Sequence, residues 1–330
     1  MLTASTPRLS VVSPCYNEEG SLGELHRRLT KVCQGEVGDD YEIVLVDDGS
    51  SDRTRSILGE LCSRDPHLVG VLLSRNHGHQ LALSAGLHVC RGQRVLIIDA
   101  DLQDPPELLG DMMRAMDAGA DVVYGQRRDR RGESPFKKLT AVLFYRVLNS
   151  LVDIKIPVDT GDFRLMSRRT LDELNRMPEQ HRFIRGMVSW IGFRQEPLLY
   201  ERQERFAGET KYPFKKMLRF AFDAISGFSI LPLRVATYLG FICAILGLLA
   251  FGYTVYSYLT GIALQGWTTL MTVVLILGSG QLLVLGVIGE YLGRLYIQSK
   301  NRPLFIIEQV VRGTRDEAEF QKSRVAAVDR

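Results

Sequence analysis

From Val235 to Gly289 the chain carries no Asp, Glu, Lys, Arg or His. A helix needs about 20 apolar residues to cross a bilayer, so this tract is long enough for two crossings. Two spans are expected, Val235–Leu259 and Thr269–Leu292, joined by a turn at Thr260–Trp267. Basic residues flank both outer ends: Lys215, Lys216, Arg219 and Arg234 before the tract, Arg294, Lys300 and Arg302 after it. The turn carries none. Cytoplasmic flanks are enriched in Lys and Arg, so both ends are expected on the cytoplasmic side of a cell membrane, and the large preceding domain with them. A buried helical hairpin of a soluble protein is the competing reading. Gly278, Gly280, Gly286, Gly289 and Gly293 in the second span would allow close helix contact, between protomers of a homo-oligomer. Glu290 and Arg294 are spaced to pair on one helix face.

Just ahead of the spans, Tyr212–Ser229 mixes Lys215, Lys216 and Arg219 with Phe214, Leu218, Phe220, Phe222 and Ile225. That pattern predicts a basic amphipathic helix lying against membrane lipid. The chain thus divides into a large domain (1–211), an interfacial segment (212–234), two spans (235–292) and a charged tail (293–330). A net charge of +3 gives no argument for nucleic acid. Five scattered cysteines without a CxxC pair suggest neither a disulfide framework nor a zinc site. No secretory leader is expected, because no basic segment precedes an apolar run at the start.

Through the large domain, short apolar runs alternate with helical patterns. Leu9–Ser13, Glu42–Val46, Leu68–Leu73, Val95–Ile98 and Asp121–Tyr124 read as buried strands of a parallel sheet. Ser21–Cys33, Thr54–Arg64, Gln80–Cys90 and Pro106–Ala118 read as the helices between them. This is the pattern of a doubly wound α/β domain, whose ligands bind beyond the carboxyl ends of the strands. The residues converging there are Tyr16-Asn17-Glu18, Asp47-Asp48-Gly49, Ser74-Arg75-Asn76 and Asp99-Ala100-Asp101.

Asp99, Asp101 and Gln103 follow a strand, and on an extended segment alternate side chains point the same way. Their oxygens would suit Mg²⁺ or Mn²⁺, which grips a diphosphate. Asp104-Pro-Pro-Glu is also a helix start, so Asp104 can serve as a cap. Asp48 is expected on a nucleotide and Asp52 mainly as a helix cap. No GxGxxG or GxxxxGK[ST] motif is present, which argues against a dinucleotide oxidoreductase or a P-loop enzyme. His77 and His79 read as polar loop residues, with a metal pair as the alternative.

Val12-Ser-Pro-Cys-Tyr16-Asn17-Glu18, Val46-Asp-Asp48-Gly-Ser, Ser74-Arg75-Asn76-His-Gly78, Asp99-Ala-Asp-Leu-Gln-Asp-Pro-Pro-Glu107, Gly161-Asp-Phe-Arg-Leu-Met166 and Arg205-Phe-Ala-Gly-Glu-Thr-Lys211-Tyr stand in this order. Together they resemble the polyprenyl-phosphate glycosyltransferases of glycosyltransferase family 2. The bactoprenol glucosyltransferases are nearest and dolichol-phosphate mannosyltransferase somewhat further. The likeness covers about residues 8 to 310. It implies a GT-A (Rossmann-like) fold, a nucleotide-sugar donor, a polyprenyl phosphate acceptor, a divalent metal and inversion at the sugar. Pro14, Tyr16, Asn17, Glu18, Asp48 and Arg75 would hold the nucleotide, and Asp99, Asp101 and Gln103 the metal and diphosphate. Arg127 and Arg131 would contact the lipid phosphate, Asp162 and Arg164 would line the reaction centre with Asp101, and Arg205 and Lys211 would close over the phosphates. A processive polysaccharide synthase would carry a Q-x-x-R-W helix and more spans, whereas Gln180 is followed here by His-Arg-Phe-Ile. A non-catalytic scaffold would need neither the acidic triplet nor the arginine-rich loop.

Overall fold

The computed structural model describes residues 6–128, 157, 160–201, 231–260 and 266–313. It forms two compact units, one of Met1–Tyr145, Ile154–Pro213 and Pro303–Arg330, the other of Arg146–Asp153 and Phe214–Arg302.

The first unit is built on an eight-stranded sheet. β1 (Leu9–Cys15), β2 (Tyr41–Asp47) and β3 (Leu68–Leu73) are buried at every residue. Helices cover both faces of such strands, which is why they read as unbroken apolar runs. α1 (Leu22–Val37) buries Leu22, Leu25, Leu29, Cys33 and Val37, one stripe at helical spacing. α2 (Thr54–Arg64) buries Thr54, Leu58 and Cys62. α3 (His79–Val89) lies on the other face and is buried from Ala82 to Leu87. A Cβ on its Gly86 would stand 2.4 Å from Val12 Cγ1 and 2.8 Å from Val46 Cγ2, so only glycine lets the helix lie this close to β1 and β2. β4 (Arg94–Ile97) is followed by a 3₁₀ turn at Pro106–Leu108, α4 (Leu109–Asp117) and β5 (Val122–Arg127).

The strand order is β7-β5-β6-β4-β1-β2-β3-β8. β1 pairs in parallel with β2 and β4, and β2 with β3. Chain progression therefore runs outward in opposite directions from β1, which places a crevice at the carboxyl ends of β1 and β4.

The sheet is mixed, not wholly parallel as expected. β6 (Thr160–Ser167) runs antiparallel between β4 and β5. Its apolar signal is broken by Asp162 and Arg164, which are nevertheless only 2% and 3% exposed because they are hydrogen-bonded inside the fold. After α5 (Arg168–Arg176) and α6 (Ile184–Ile191), β7 (Gln195–Tyr200) pairs in parallel with β5. A second difference lies in the expected tail. Ile307–Arg312 forms β8, an antiparallel edge strand on β3. As an edge strand it is only partly buried, and its sequence lacks the long apolar run that marks a central strand.

The second unit contains α7 (Leu231–Leu259) and α8 (Trp267–Ser299). Their most apolar stretches, Leu233–Tyr253 and Ile276–Ser299, have mean hydropathy 2.1 and 1.4, with 6% and 0% of the residues buried. A core helix of a soluble protein would be mostly buried. Two long apolar helices with exposed side chains mark a membrane-associated chain. α8 continues past the expected end at Leu292. A Cβ on Gly280 would lie 3.3 Å from Cys243 Sγ, so this glycine serves contact inside the hairpin. Arg294 and Glu290 do pair, at 3.0 Å. The interfacial segment 212–230 and the tail beyond 313 lie outside the described residues.

Candidate active site

Three loops at the carboxyl ends of β1, β2 and β3 are tied to one another. Asn17 adopts a left-handed φ of 55°, which asparagine tolerates better than most residues. Its N–H donates to Ser50 Oγ (3.0 Å), and its Oδ1 accepts from Ser51 N–H (2.9 Å). Glu18 N–H donates to Thr54 Oγ1 at 2.8 Å. Asp52 accepts from Thr54 N–H (3.0 Å) and from Glu19 N–H (3.2 Å) and so ties two loops together, but it is not the expected cap, because α2 is entered from Arg53 without a side-chain cap. Tyr16 is 43% exposed beside this junction, whereas Pro14 is buried within β1 opposite Val46.

Asp48 is 2% exposed, and its two oxygens accept from His77 N–H (2.7 Å) and Gly78 N–H (2.9 Å). It therefore shapes the loop that leads into α3. Burial raises its pKa even though both amides favour the charge. Arg75 in that loop is exposed, and its guanidinium reaches Asn76 O at 3.0 Å. Gly49 sits at φ +67°, where a Cβ would lie 2.6 Å from Arg75 C and Asn76 N. Gly49→Ala must strain its own backbone and push two loops apart. It is expected to cost at least ~2 kcal/mol, the left-handed penalty plus the clash, seen as a melting temperature lower by several degrees.

The acidic segment after β4 is not extended. Ala100 and Asp101 form a turn and Leu102 has φ +59°, so the expected strand alternation does not apply. A turn places the carboxylates instead, and Gln103 N–H donates to Asp101 Oδ1 at 3.1 Å. Asp99 Oδ1 is buried and accepts no hydrogen bond. Burial raises the Asp99 pKa to about 6; the nearby His79 opposes this, while Asp162, Asp104 and Asp101 add to it. Asp104 is fully buried and accepts the Tyr200 hydroxyl, and the 3₁₀ turn that follows is entered from Pro105 without a side-chain cap.

β6 supplies the other wall. Asp162 accepts from Arg185 Nε (2.8 Å) on one oxygen and from Gln80 Nε2 (2.8 Å) on the other. His79 Nε2 lies 3.2 Å from Asp162 Oδ2 and 3.5 Å from Asp99 Oδ1. Burial alone would raise the Asp162 pKa, but Arg185 and His79 hold it well below the usual carboxylate range. Desolvation opposes a charge on His79, yet Asp162 and Asp99 outweigh it and lift its pKa to about 9. Arg164 is buried and donates to Gly161 O (3.1 Å) and Asp162 O (3.3 Å). Arg127, at the end of β5, lies across from Tyr200, with its Nη2 3.3 Å from where a Cβ on Gly161 would be. Glycine there leaves room for the guanidinium beside β6.

His79, Asp99 and Asp162 thus meet where the carboxyl end of β4 adjoins β6, with Asp101 in the turn after Asp99 and Arg127 beside Gly161, while Arg164 is packed on the Gly161 and Asp162 carbonyls. Arg131, Arg205 and Lys211 lie outside the described residues. Ligand atoms of His79, Asp99 and Asp162 all fall within 4.8 Å of one another, close enough for one cation to bridge. Asp99 Oδ1, without a hydrogen bond and with His79 Nε2 no nearer than 3.5 Å, lies buried near other carboxylates and has the hard-oxygen character a divalent ion requires. Gln80 and Arg185 were not anticipated, since they lie 82 and 23 residues from Asp162. No sequence spacing announces them, since they reach the carboxylate only through the fold.

Residues 10–174 match glycosyl transferase family 2, and residues 231–295 match the GtrB C-terminal hairpin. The uncharacterized glycosyltransferase YkcC of Bacillus subtilis is 46% identical over 91% of this chain and 93% of its own. The prophage bactoprenol glucosyl transferase homolog of Escherichia coli is 37% identical over 92% and 99%. The bactoprenol glucosyl transferase of Shigella phage SfII is 38% identical over 93% and 99%. With a GT-A-type sheet, a family match over half its length and such relatives spanning nine-tenths of it, the chain belongs to glycosyltransferase family 2 and is a glycosyltransferase carrying the GtrB-type hairpin.

Proposed function

We propose that the enzyme moves a hexose, glucose from UDP-glucose first among the choices, onto a polyprenyl phosphate such as undecaprenyl phosphate at the cytoplasmic membrane face. The observation that carries this reading is the carboxylate cluster around Asp99 at the sheet's switch point, in a chain that also bears two exposed apolar helices. The names of the Escherichia coli and phage relatives supply the acceptor and the sugar. GDP-mannose, UDP-GlcNAc and UDP-galactose are the alternative donors, since hexoses differ by single hydroxyl orientations. The basic flanks of the spans support a cytoplasmic catalytic domain on a multi-pass anchor, and the remaining α8 glycines support self-association.

Asp99, Asp101 and Gln103 would hold Mg²⁺ or Mn²⁺, which when bound neutralises charge growing on the departing diphosphate. Tyr16, Asn17, Glu18, Asp48 and Arg75 surround the nucleotide's place, Asp48 by shaping the loop. Arg127 approaches the acceptor phosphate, and Arg131, Arg205 and Lys211 add positive charge around two anionic substrates. A phosphate monoester has a second pKa of about 6 and is largely dianionic at neutral pH, so it needs no strong base. Asp162 suits that chemistry: with both oxygens engaged and its pKa depressed, it orients rather than accepts a proton. Attack from the side opposite the diphosphate would invert the anomeric carbon.

The test is a panel of labelled nucleotide-sugars supplied to membranes containing the protein and undecaprenyl phosphate. UDP-glucose is expected to give an organic-extractable, acid-labile glycolipid. Absence of glycolipid from every donor would overturn the reading.

A further inference from the structure

We propose that Arg185 is a positioning residue: together with Gln80 it braces Asp162 so that the carboxylate presents His79 to the reacting groups. This rests on the acceptor chemistry proposed above.

The brace is made of four hydrogen bonds. Arg185 Nε donates to Asp162 Oδ1 at 2.8 Å, while its Nη1 donates to Thr160 O at 2.8 Å. One guanidinium therefore grips both the side chain and the backbone of β6. Gln80 Nε2 donates to Asp162 Oδ2 at 2.8 Å, and Gln80 Oε1 accepts from Ile184 N–H at 3.0 Å, at the start of α6. The amide thus joins α3, β6 and α6 at one point. A planar guanidinium and an amide, each making two bonds, leave the carboxylate little rotational freedom. Arg164 remains on the Gly161 and Asp162 carbonyls and does not compete for the Asp162 side chain.

Asp162 is 3% exposed at its side chain, Arg185 25% and His79 43%. The arginine and the aspartate are thus set back, and the imidazole is the member that faces the crevice between Asp162 and Asp99. An arrangement built only for stability would not need a solvent-facing histidine at its apex. Lysine in place of Arg185 would keep the charge but not the two-pronged grip.

The test compares wild type, Arg185→Gln and Arg185→Lys in the full-length detergent-solubilised enzyme. Displacing a positioned group by about 1 Å can cost ~100-fold in rate. Arg185→Gln is expected to lower kcat ~100-fold while donor KM stays within about twofold, because transition-state contacts are lost and ground-state ones kept. Arg185→Lys is expected to fall between. Independently of activity, ¹⁵N-histidine labelling yields signals from six histidines. The imidazole signal assigned to His79 with a His79→Gln variant is expected to shift in both Arg185 variants. If wild type makes no glycolipid, the proposed acceptor is wrong, and the imidazole signal alone decides the brace. An unmoved His79 signal, or wild-type kcat in a folded Arg185→Gln enzyme, overturns the positioning role. So does a variant whose KM rises while kcat holds.

Discussion

Replacing Asp99 by asparagine is expected to lower sugar transfer at least ~1,000-fold, the equivalent of about 4 kcal/mol of lost transition-state stabilisation from a divalent ion. The same change should make the metal-free protein more stable. Burial, with repulsion from Asp162, Asp104 and Asp101, outweighs the opposing His79 and raises the Asp99 pKa from 3.8 to about 6. A carboxyl whose folded pKa is raised favours the fold while protonated. Its contribution is complete below about pH 4 and is lost as pH rises through 6. Metal-free wild type should therefore lose stability between about pH 4 and pH 6 from this group. Asp99→Asn should lack that loss and melt several degrees higher at neutral pH. Adding a chelator to wild type should reproduce the rate defect and not the gain in stability. Full activity in Asp99→Asn, or in chelated wild type, rules out a metal held by this carboxylate.

Asp162→Asn is expected to fail in the opposite way, losing stability and rate together. Arg185 and His79 would face a neutral amide that offers one acceptor where two oxygens accept now. Breaking a buried ion pair typically costs ~3–5 kcal/mol. Arg185 is a quarter exposed, so the lower end applies, and ~3 kcal/mol corresponds to roughly 6–12 °C in melting temperature for a domain of this size. Transfer should fall at least ~100-fold through loss of orientation. Scanning calorimetry and glycolipid formation on the same preparation measure both. A melting temperature within about 1 °C of wild type would show that the carboxylate does not anchor its neighbours.

The contrast between these two aspartates could not be read from their motifs. Both stand in short acidic or mixed triplets, and their spacing says only that each can offer an oxygen. The difference comes from neighbours distant in the chain. Both approach His79, but Asp162 also meets Gln80 and Arg185, whereas Asp99 is buried near further carboxylates. Likewise the reading of Asp99, Asp101 and Gln103 as a ligand set followed from strand alternation, but the segment is a turn with Leu102 at positive φ. Among the described residues the ligand atoms that meet are those of His79, Asp99 and Asp162, from three separate elements.

Periodicity in the chain was sufficient for β1 to β5, for α1 to α4 and for the apolar hairpin, because each of these is dictated by which solvent its own side chains require. Helical and strand periods encode a single element facing a single medium. β6 and β8 escaped, since a strand that buries a paired aspartate and arginine, or that half-faces water, has no apolar run to announce it. Which charges neutralise one another, and which are left crowded for a cation, is settled only when β4, β6, α3 and α6 are brought side by side. Electrostatic free energy depends on distance through space and on local desolvation, and neither quantity is a property of position along the chain.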